Sequence, residues 1–387
     1  MFDSVYFFFM AVVGVFAVGD LISFFTKGKL SGLMMVMLLF LIAFLTGILP
    51  ADVIDRAGLT EMASVSTGML LFNMGSTINV RQLIREWRTV ALATLCLIGT
   101  CISMIVIGGP IVGIETVLTT IPPINGAAVA TSIMSDAVAA AGLNTAAALC
   151  AVIFATQRFV GAPIASTMGR RYAKVLLEEY RKDPKLHMMN TEAKSDDGKT
   201  QKVLFCDKYK SLFSSNVLIG IVAAGAFIAR LLGSVTPVDY SIWALLPGLI
   251  CSSTGIVPQT PLQKGNAFGL IMICVFGSII PALGGVTAGQ LGTMAFQLIV
   301  LFGTACLGIF IVAWILPCWK LVGNRNLAVG IGAMQFLGFP SNIVVVREVS
   351  EVVGETEDEK LWLNSKLSVS YVVGGITVVT ILSVVMA

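Results

Sequence analysis

The side chains with chemistry to offer gather in two stretches that interrupt an otherwise apolar chain. The first, residues 121–143, carries two prolines, Asn125-Gly126, the hydroxyls of Thr131, Ser132 and Ser135, and one carboxylate, Asp136. Oxygens of this kind suit a hard cation. Asn125, Ser135 and Asp136, joined by Asn342 from the second stretch, are therefore candidate sodium ligands. The half-helix that opens after Asn125-Gly126 turns its positive dipole end toward anions, which makes Asn125, Gly126, Thr131 and Ser132 candidate substrate contacts. The second stretch, residues 326–346, is interrupted by Gly330, Gly332, Gly338 and Pro340, and offers Gln335, Gly338, Ser341 and Asn342 as further substrate contacts. Arg158 either holds a substrate carboxylate through its fork of donors or snorkels to a membrane face. The plainer readings are a kinked helix whose hydroxyls bond back to their own carbonyls, and glycines that serve close helix packing.

The elements that must position these groups are membrane helices. Of 387 residues, 56% are hydrophobic and 12% charged, against about 25% charged in a soluble domain. No charge falls between Arg88 and Glu115, between Asp239 and Lys264, or in the 55 residues between Lys264 and Lys320. About 20 apolar residues suffice to span, so the last run holds two spans. The expected class is an all-α integral membrane protein. Spans are expected at residues 5–25, 32–49, 59–79, 89–108 and 144–168, then 216–233, 241–257, 266–283, 290–318 and 361–387. Residues 1–168 and 216–387 form two repeats, joined by a basic linker at 169–215. Glu178-Glu179 suggests a short surface helix at the start of that linker, and the acidic run 355–359 a solvated loop. The first apolar run has Asp3 before it and Lys27 and Lys29 after it; a signal peptide carries its positive charge in front, so this run reads as a retained span.

Charge sets the orientation, because cytoplasmic loops collect Lys and Arg. With both termini outside, the inner loops hold Lys27, Lys29, Arg81, Arg85, Arg88, the basic linker, Lys264, Lys320 and Arg325. This works if residues 110–142 enter and leave from outside and residues 326–346 from inside, each as a re-entrant hairpin. A broken crossing helix is the alternative. Pro122-Pro123 is expected to end any helix arriving from Ile111, since proline lacks the N–H and clashes with the preceding turn. Each half then has five spans plus a hairpin, and an odd number of spans makes the halves face opposite ways. Met74-Gly75-Ser76-Thr77-Ile78 resembles Phe276-Gly277-Ser278-Ile279-Ile280, an offset of 202 that also carries Asn125 close to Asn326. Inverted repeats around a midplane site mark secondary transporters.

These residues resemble the bacterial sodium/glutamate symporter family. The likeness covers most of the chain at low identity. It rests on Leu-Leu-Phe-Asn-Met-Gly-Ser-Thr-Ile-Asn-Val-Arg-Gln-Leu at 70–83, the first interrupted stretch with Gly161-Ala162-Pro163 after it, the basic linker and the second stretch. It implies two inverted five-span domains with one re-entrant loop each. Asn125-Gly126-Ala127-Ala128-Val129 and Gly338-Phe339-Pro340-Ser341-Asn342 stand where that family has glycine-rich motifs, so hairpin position carries over while ligand chemistry does not.

The expected function is sodium-coupled symport of a small organic anion, such as glutamate or a related carboxylate. The expected setting is a multi-pass protein of the inner (cytoplasmic) membrane, acting as a homodimer, with sodium as coupling ion and no other cofactor. Nucleic acid is not an expected partner. A cation/proton antiporter using Asp136 is the alternative; a channel suits two asymmetric hairpins less well than alternating access does. An intramembrane enzyme would need paired aspartates, Ser–His or a metal set. The lone His187 lies in the polar linker, and the eight cysteines form no Cys-x-x-Cys pair.

Overall fold

The computed structural model describes residues 4–26, 32–78, 80–182, 205–236, 240–284, 288–337 and 341–387. Every regular element among them is helical. In chain order these are α1 (Val5–Phe25), α2 (Gly32–Leu45), α3 (Val53–Arg56), α4 (Thr60–Thr77), α5 (Val80–Arg85), α6 (Trp87–Ser103), α7 (Gly109–Val112), α8 (Ile114–Ala140) and α9 (Asn144–Tyr180). The second half follows with α10 (Phe205–Lys208), α11 (Ser215–Val235), α12 (Tyr240–Ser253), α13 (Pro261–Lys264), α14 (Phe268–Gly284) and α15 (Ala288–Phe310). It closes with α16 (Arg325–Ala333), α17 (Ser341–Val353), α18 (Glu357–Gly375) and α19 (Ser383–Met386). Six helical stretches among the described residues are long and apolar enough to cross a membrane: Val5–Phe25, Trp87–Val112, Asn144–Tyr180, Ser215–Val235, Gly292–Ile315 and Glu357–Met386. The protein therefore has the helices of a multi-pass membrane protein.

The second half returns to the element order of the first. Helices α1 and α11 both have 21 residues, α2 and α12 both have 14. Gly32, Val53 and Thr60, which open α2, α3 and α4, recur 208 positions on as Tyr240, Pro261 and Phe268. The turn between them is copied in detail. Thr46-Gly47-Ile48-Leu49-Pro50 returns as Thr254-Gly255-Ile256-Val257-Pro258. Gly47 and Gly255 have φ of 71° and 74°, a left-handed conformation that costs glycine little. The N–H groups of Ile48 and Leu49 both donate to the Ala43 carbonyl, 2.9 and 3.3 Å; those of Ile256 and Val257 both donate to that of Cys251, 3.0 and 3.2 Å. Short π-helical segments, Met104–Gly108 and Ile311–Ile315, follow α6 and α15. The offset of 202 is thus out of register by six: at 208, Met74 falls opposite Ala282, and Gly75 and Gly277 pack against different neighbours, Leu245 and Leu59.

The expected spans fall on α1, α2, α4, α6, α9, α11, α12, α14, α15 and α18, with two corrections at their edges. Helix α9 does not stop near residue 168 but runs to Tyr180, so Glu178-Glu179 belongs to it rather than to a separate surface helix. The 355–359 run is not simply solvated. Thr356 and Glu359 form a capping box that starts α18, and the Glu359 side chain is only 8% exposed.

Helices α6 and α15 cross where two glycines meet. A Cβ on Gly99 would lie 3.1 Å from the Gly308 carbonyl oxygen, and one on Gly308 2.5 Å from that of Gly99. Nearby, Ser103 Oγ donates to the Thr304 carbonyl at 2.8 Å. The order 99–308 and 103–304 makes the two helices antiparallel. In a bilayer, where lipid tails are as apolar as leucine, such close approach is what holds helices together. Each buried apolar cluster draws residues from both halves. The largest joins Leu92, Ile124 and Ile153 to Phe302, Phe336 and Leu367; others join Phe40 and Phe154 to Phe276, and Phe72 to Val222. The middle of the basic linker, 183–204, with Lys185, His187, Lys194, Lys199 and Lys202, lies outside the described residues, as do Lys27 and Lys29.

Candidate functional site

The centre of the first interrupted stretch stays helical. Helix α8 contains both Pro122 and Pro123, so the prolines do not end it; the break comes earlier, at Gly113. The neighbouring helix makes this tolerable. Pro123 has no N–H for the Thr119 carbonyl, and that carbonyl instead accepts from Cys150 Sγ of α9 at 3.5 Å. Two turns along the same face of α9 sits Gln157, fully buried. In the amide orientation that its surroundings accept, its nitrogen donates to the carbonyls of Pro123 and Ile124, each at 3.1 Å. Helix α9 thus replaces one donor lost to proline, at Thr119, and adds a side-chain donor to the two carbonyls that follow.

Asn125 follows at once and is fully buried. Its Nδ2 donates to the Ile121 carbonyl at 2.7 Å, while its Oδ1 has no partner among the described residues. Gly126 leaves room for α19: a Cβ there would lie 2.5 Å from Ser383 Oγ, which itself donates to Val379 O at 2.6 Å. The same Cβ would also collide with Ala130 Cβ, whereas residues four apart on a regular helix keep their Cβ atoms about 5–6 Å apart. The helix is therefore sharply distorted here. Thr131, Ser132 and Ser135 are buried beyond this point.

The second interrupted stretch approaches from the other half. After α16, a single 3-10 turn, Met334–Phe336, packs against α8 and α9. Phe336 lies against Gly161, one turn past Gln157: a Cβ on that glycine would come within 2.6 Å of Phe336 Cβ. Gln335 is fully buried. Its Nε2 donates to Thr100 Oγ1 of α6 at 2.9 Å, and its Oε1 has no partner among the described residues. Asn342, also fully buried, uses Oδ1 to accept from the Ile343 N–H at 2.9 Å. Its Nδ2 has no partner among the described residues and points at Gly375, where a Cβ would sit 2.8 Å away. Gly338 and Pro340 lie outside the described residues, and so does the Ser341 side chain.

The candidate sodium ligands differ in their surroundings: Asn125, Ser135 and Asn342 are buried and Asp136 is exposed on α8. It stands eight residues beyond Ala128, about 12 Å of helical rise. Asn342 has committed its oxygen to Ile343 and presents a donor instead. What the structure does bring together is Asn125 with Gln157, and the Gln335 turn with the helices that carry both. Arg158 is half-buried beside them in sequence.

Away from this centre, charged pairs tie the far end of α9 to α17 and α18. Arg170 pairs with Glu348 at 2.7 Å; Arg181 pairs with Glu359 at 2.7 Å and Glu355 at 3.0 Å. Lys360 reaches Glu357 and Glu351 at 2.7 and 3.4 Å. Among the described residues no three His, Cys, Asp or Glu side chains are grouped to hold a metal. Compared with known proteins, the chain matches no family model and no curated protein.

Proposed function

We propose that the protein is a secondary active transporter that couples sodium to the movement of a small organic anion, such as glutamate or a related carboxylate. One observation carries this reading. Four amides, Asn125, Gln157, Gln335 and Asn342, are wholly buried among apolar helices where the interrupted segments of both halves pack, and three of them keep an unpaired polar atom. An unsatisfied buried group costs about 1–3 kcal/mol. Polar groups inside a membrane bundle mark substrate and ion paths.

The finer architecture of this reading is two inverted repeats, each with a re-entrant hairpin. The antiparallel crossing of α6 and α15, equivalent helices of the two halves, supports inversion. The contact order of α8 supports the first hairpin. Three residues join α8 to α9, so the tail of α8 must run antiparallel to α9. Yet Thr119 meets Cys150 and Ile124 meets Gln157, an order that rises along both helices. That order supports a head of α8 that runs the other way from its tail, with the reversal at the distortion by Gly126. The reading also takes the termini as outside, the linker as cytoplasmic, the membrane as the inner one and the assembly as a homodimer. Asp136, exposed and away from the amides, lends the proton-antiport alternative no support.

The test is uptake into proteoliposomes. An inward sodium gradient should drive accumulation of a radiolabelled amino or dicarboxylic acid, and a potassium gradient of equal size should not. Sodium–proton exchange without any organic solute, read with a pH dye inside the vesicles, would replace this reading with the antiporter.

A further inference from the structure

We propose that Arg88 of the first half and Arg325 of the second, flanked by Arg85 and Lys320, form one headgroup site for an anionic phospholipid. It lies at the end of the bundle where α6, α15 and α16 come together. The proposal goes beyond the transport reading and does not rest on it.

Two contacts set the level of these groups. A Cβ on Gly332 of α16 would lie 3.2 Å from Cys96 Sγ of α6, and the Gln335 amide reaches Thr100 Oγ1 at 2.9 Å. The order 96–332 and 100–335 rises along both segments, so α6 and α16 run parallel and begin at the same end. Arg88 stands eight residues before Cys96, and Arg325 seven before Gly332. That is about 12 and 10.5 Å back along each helix, so the two arginines share one depth. Packed helices stand about 8–10 Å apart, which lets long side chains from both reach one phosphate. Helix α15, antiparallel to α6, delivers Lys320 to this end as well.

Aromatic rings mark the same level. The Arg325 guanidinium lies over Trp314 and Trp319, 5.9 and 5.0 Å from their ring centroids, and that of Arg88 over Trp87 at 5.7 Å. The segment carrying Trp319, Pro317–Leu321, packs on α6. Tryptophan gathers at the headgroup level of a bilayer. All four cations are exposed, and no ion pair among the described residues uses them. Carboxylates are sparse along these segments: Glu86 is the one in residues 62–114, and none falls between Asp239 and Glu348. At the head of α18, Glu357 pairs with Lys360 and Glu359 with Arg181. The far end of α6 and α15 is the contrast, since no Lys or Arg falls between Arg88 and Arg158 or between Lys264 and Lys320. A phosphodiester suits guanidinium forks, and basic pockets between membrane helices take anionic headgroups. Ile98 and Ile102 on α6, with Leu307 and Phe310 on α15, are exposed beside the glycine crossing. They give acyl chains a surface that a soluble phosphate would not need.

Purified full-length protein is reconstituted into phosphatidylcholine vesicles that carry brominated phosphatidylglycerol or brominated phosphatidylcholine, and quenching of tryptophan fluorescence is read. At equal mole fraction the brominated phosphatidylglycerol should quench more strongly, with an excess that saturates. Arg88→Gln with Arg325→Gln should reduce that preference by about fivefold for each cation removed. Lys174→Gln with Lys182→Gln removes two exposed charges at the tail of α9 instead, and should leave it unchanged. Equal quenching by the two lipids in the wild type overturns the site. So does a folded Arg88→Gln, Arg325→Gln protein that keeps the preference, or an α9 variant that loses it. A preference abolished by inorganic phosphate at constant ionic strength hands the cations to a soluble phosphate and overturns the lipid. Should the first variant not fold, Arg85→Gln with Lys320→Gln is read by the same criteria, since neither side chain lies over a ring among the described residues. Uptake plays no part in this readout, so failure of the carrier reading leaves the site standing.

Discussion

The crossing of α4 with α12 and its counterpart, α2 with α14, hold equivalent places in the two halves but are built from opposite materials. At the first, Gly75 and Gly248 let backbones touch: a Cβ on Gly75 would collide with the Leu245 carbonyl, and one on Gly248 with the Phe72 carbonyl. In the register of 208, those positions become Leu283 and Phe40 in the other pair. Both are buried, at 1% and 0% exposure, and share one apolar cluster. The same divergence marks the polar segments. In the first half α8 stays helical through its prolines, with Cys150 and Gln157 of α9 reaching across to its carbonyls. In the second, the segment shortens into a 3-10 turn after Ala333, and the buried hydroxyl of α18, Tyr371, donates not to its own half but to Ala165 of α9 at 3.1 Å. A duplicated backbone order therefore leaves each half free to set helix distance and polar contacts by its own side chains.

The glycine crossing offers the hardest way to break this comparison. Gly75→Val or Gly248→Val should exceed the about 1–3 kcal/mol usual for overpacking, because backbone rather than side chain stands in the way. Size-exclusion profiles of the purified variants should show little monodisperse protein. At the matching position Phe40→Ala removes bulk instead, and should cost about 3–5 kcal/mol, a lower melting temperature with the protein still recoverable. If Gly75→Val is tolerated as well as Phe40→Ala, the two crossings are not different in kind.

Smaller changes sharpen the contrast between the polar segments. Gln157→Leu leaves two carbonyls of α8 without their side-chain donor and should lower stability by about 1–3 kcal/mol. Tyr371→Phe deletes one hydrogen bond and should cost about 0.5–1.5 kcal/mol. Thermal unfolding of both variants, in one detergent, should rank them in that order. The reverse ranking would place the more important brace in the second half. Smallest is Thr356→Ala, which removes the α18 cap and should cost about 1 kcal/mol.

Much of the helix layout was legible in the charge-free runs, since a span announces itself by length and lack of charge. The end of α9 was not, because a helix that continues past the apolar zone acquires Arg170, Arg171 and Glu178 without ceasing to be helical. The repeat was also present, in Thr46–Pro50 and Thr254–Pro258, yet five residues of a turn weigh no more on paper than the misleading match at 202. Only paired dihedrals and hydrogen bonds separate them. Asn125, Gln335 and Asn342 stood out as amides in interrupted helices. Asp136 drew attention for a sound reason, a carboxylate in an apolar setting, but a linear sequence does not tell which face of a helix a residue takes. Gln157 and Thr100 escaped notice because their partners, Pro123, Ile124 and Gln335, lie far away in the chain.

The mixing of both halves in every apolar cluster has a bearing on how the protein is made. When the ribosome has delivered residues up to the end of α9, no cluster is complete: Phe40 and Phe154 still lack Phe276, and Leu92 and Ile153 lack Phe336 and Leu367. The early helices must wait in the bilayer, inserted but with their apolar clusters incomplete. Assembly waits for α18, which brings Tyr371 to Ala165 and Glu359 to Arg181. The nascent first half is thus a client for whatever shelters polar membrane helices during synthesis, and a truncated chain is one that never leaves that state.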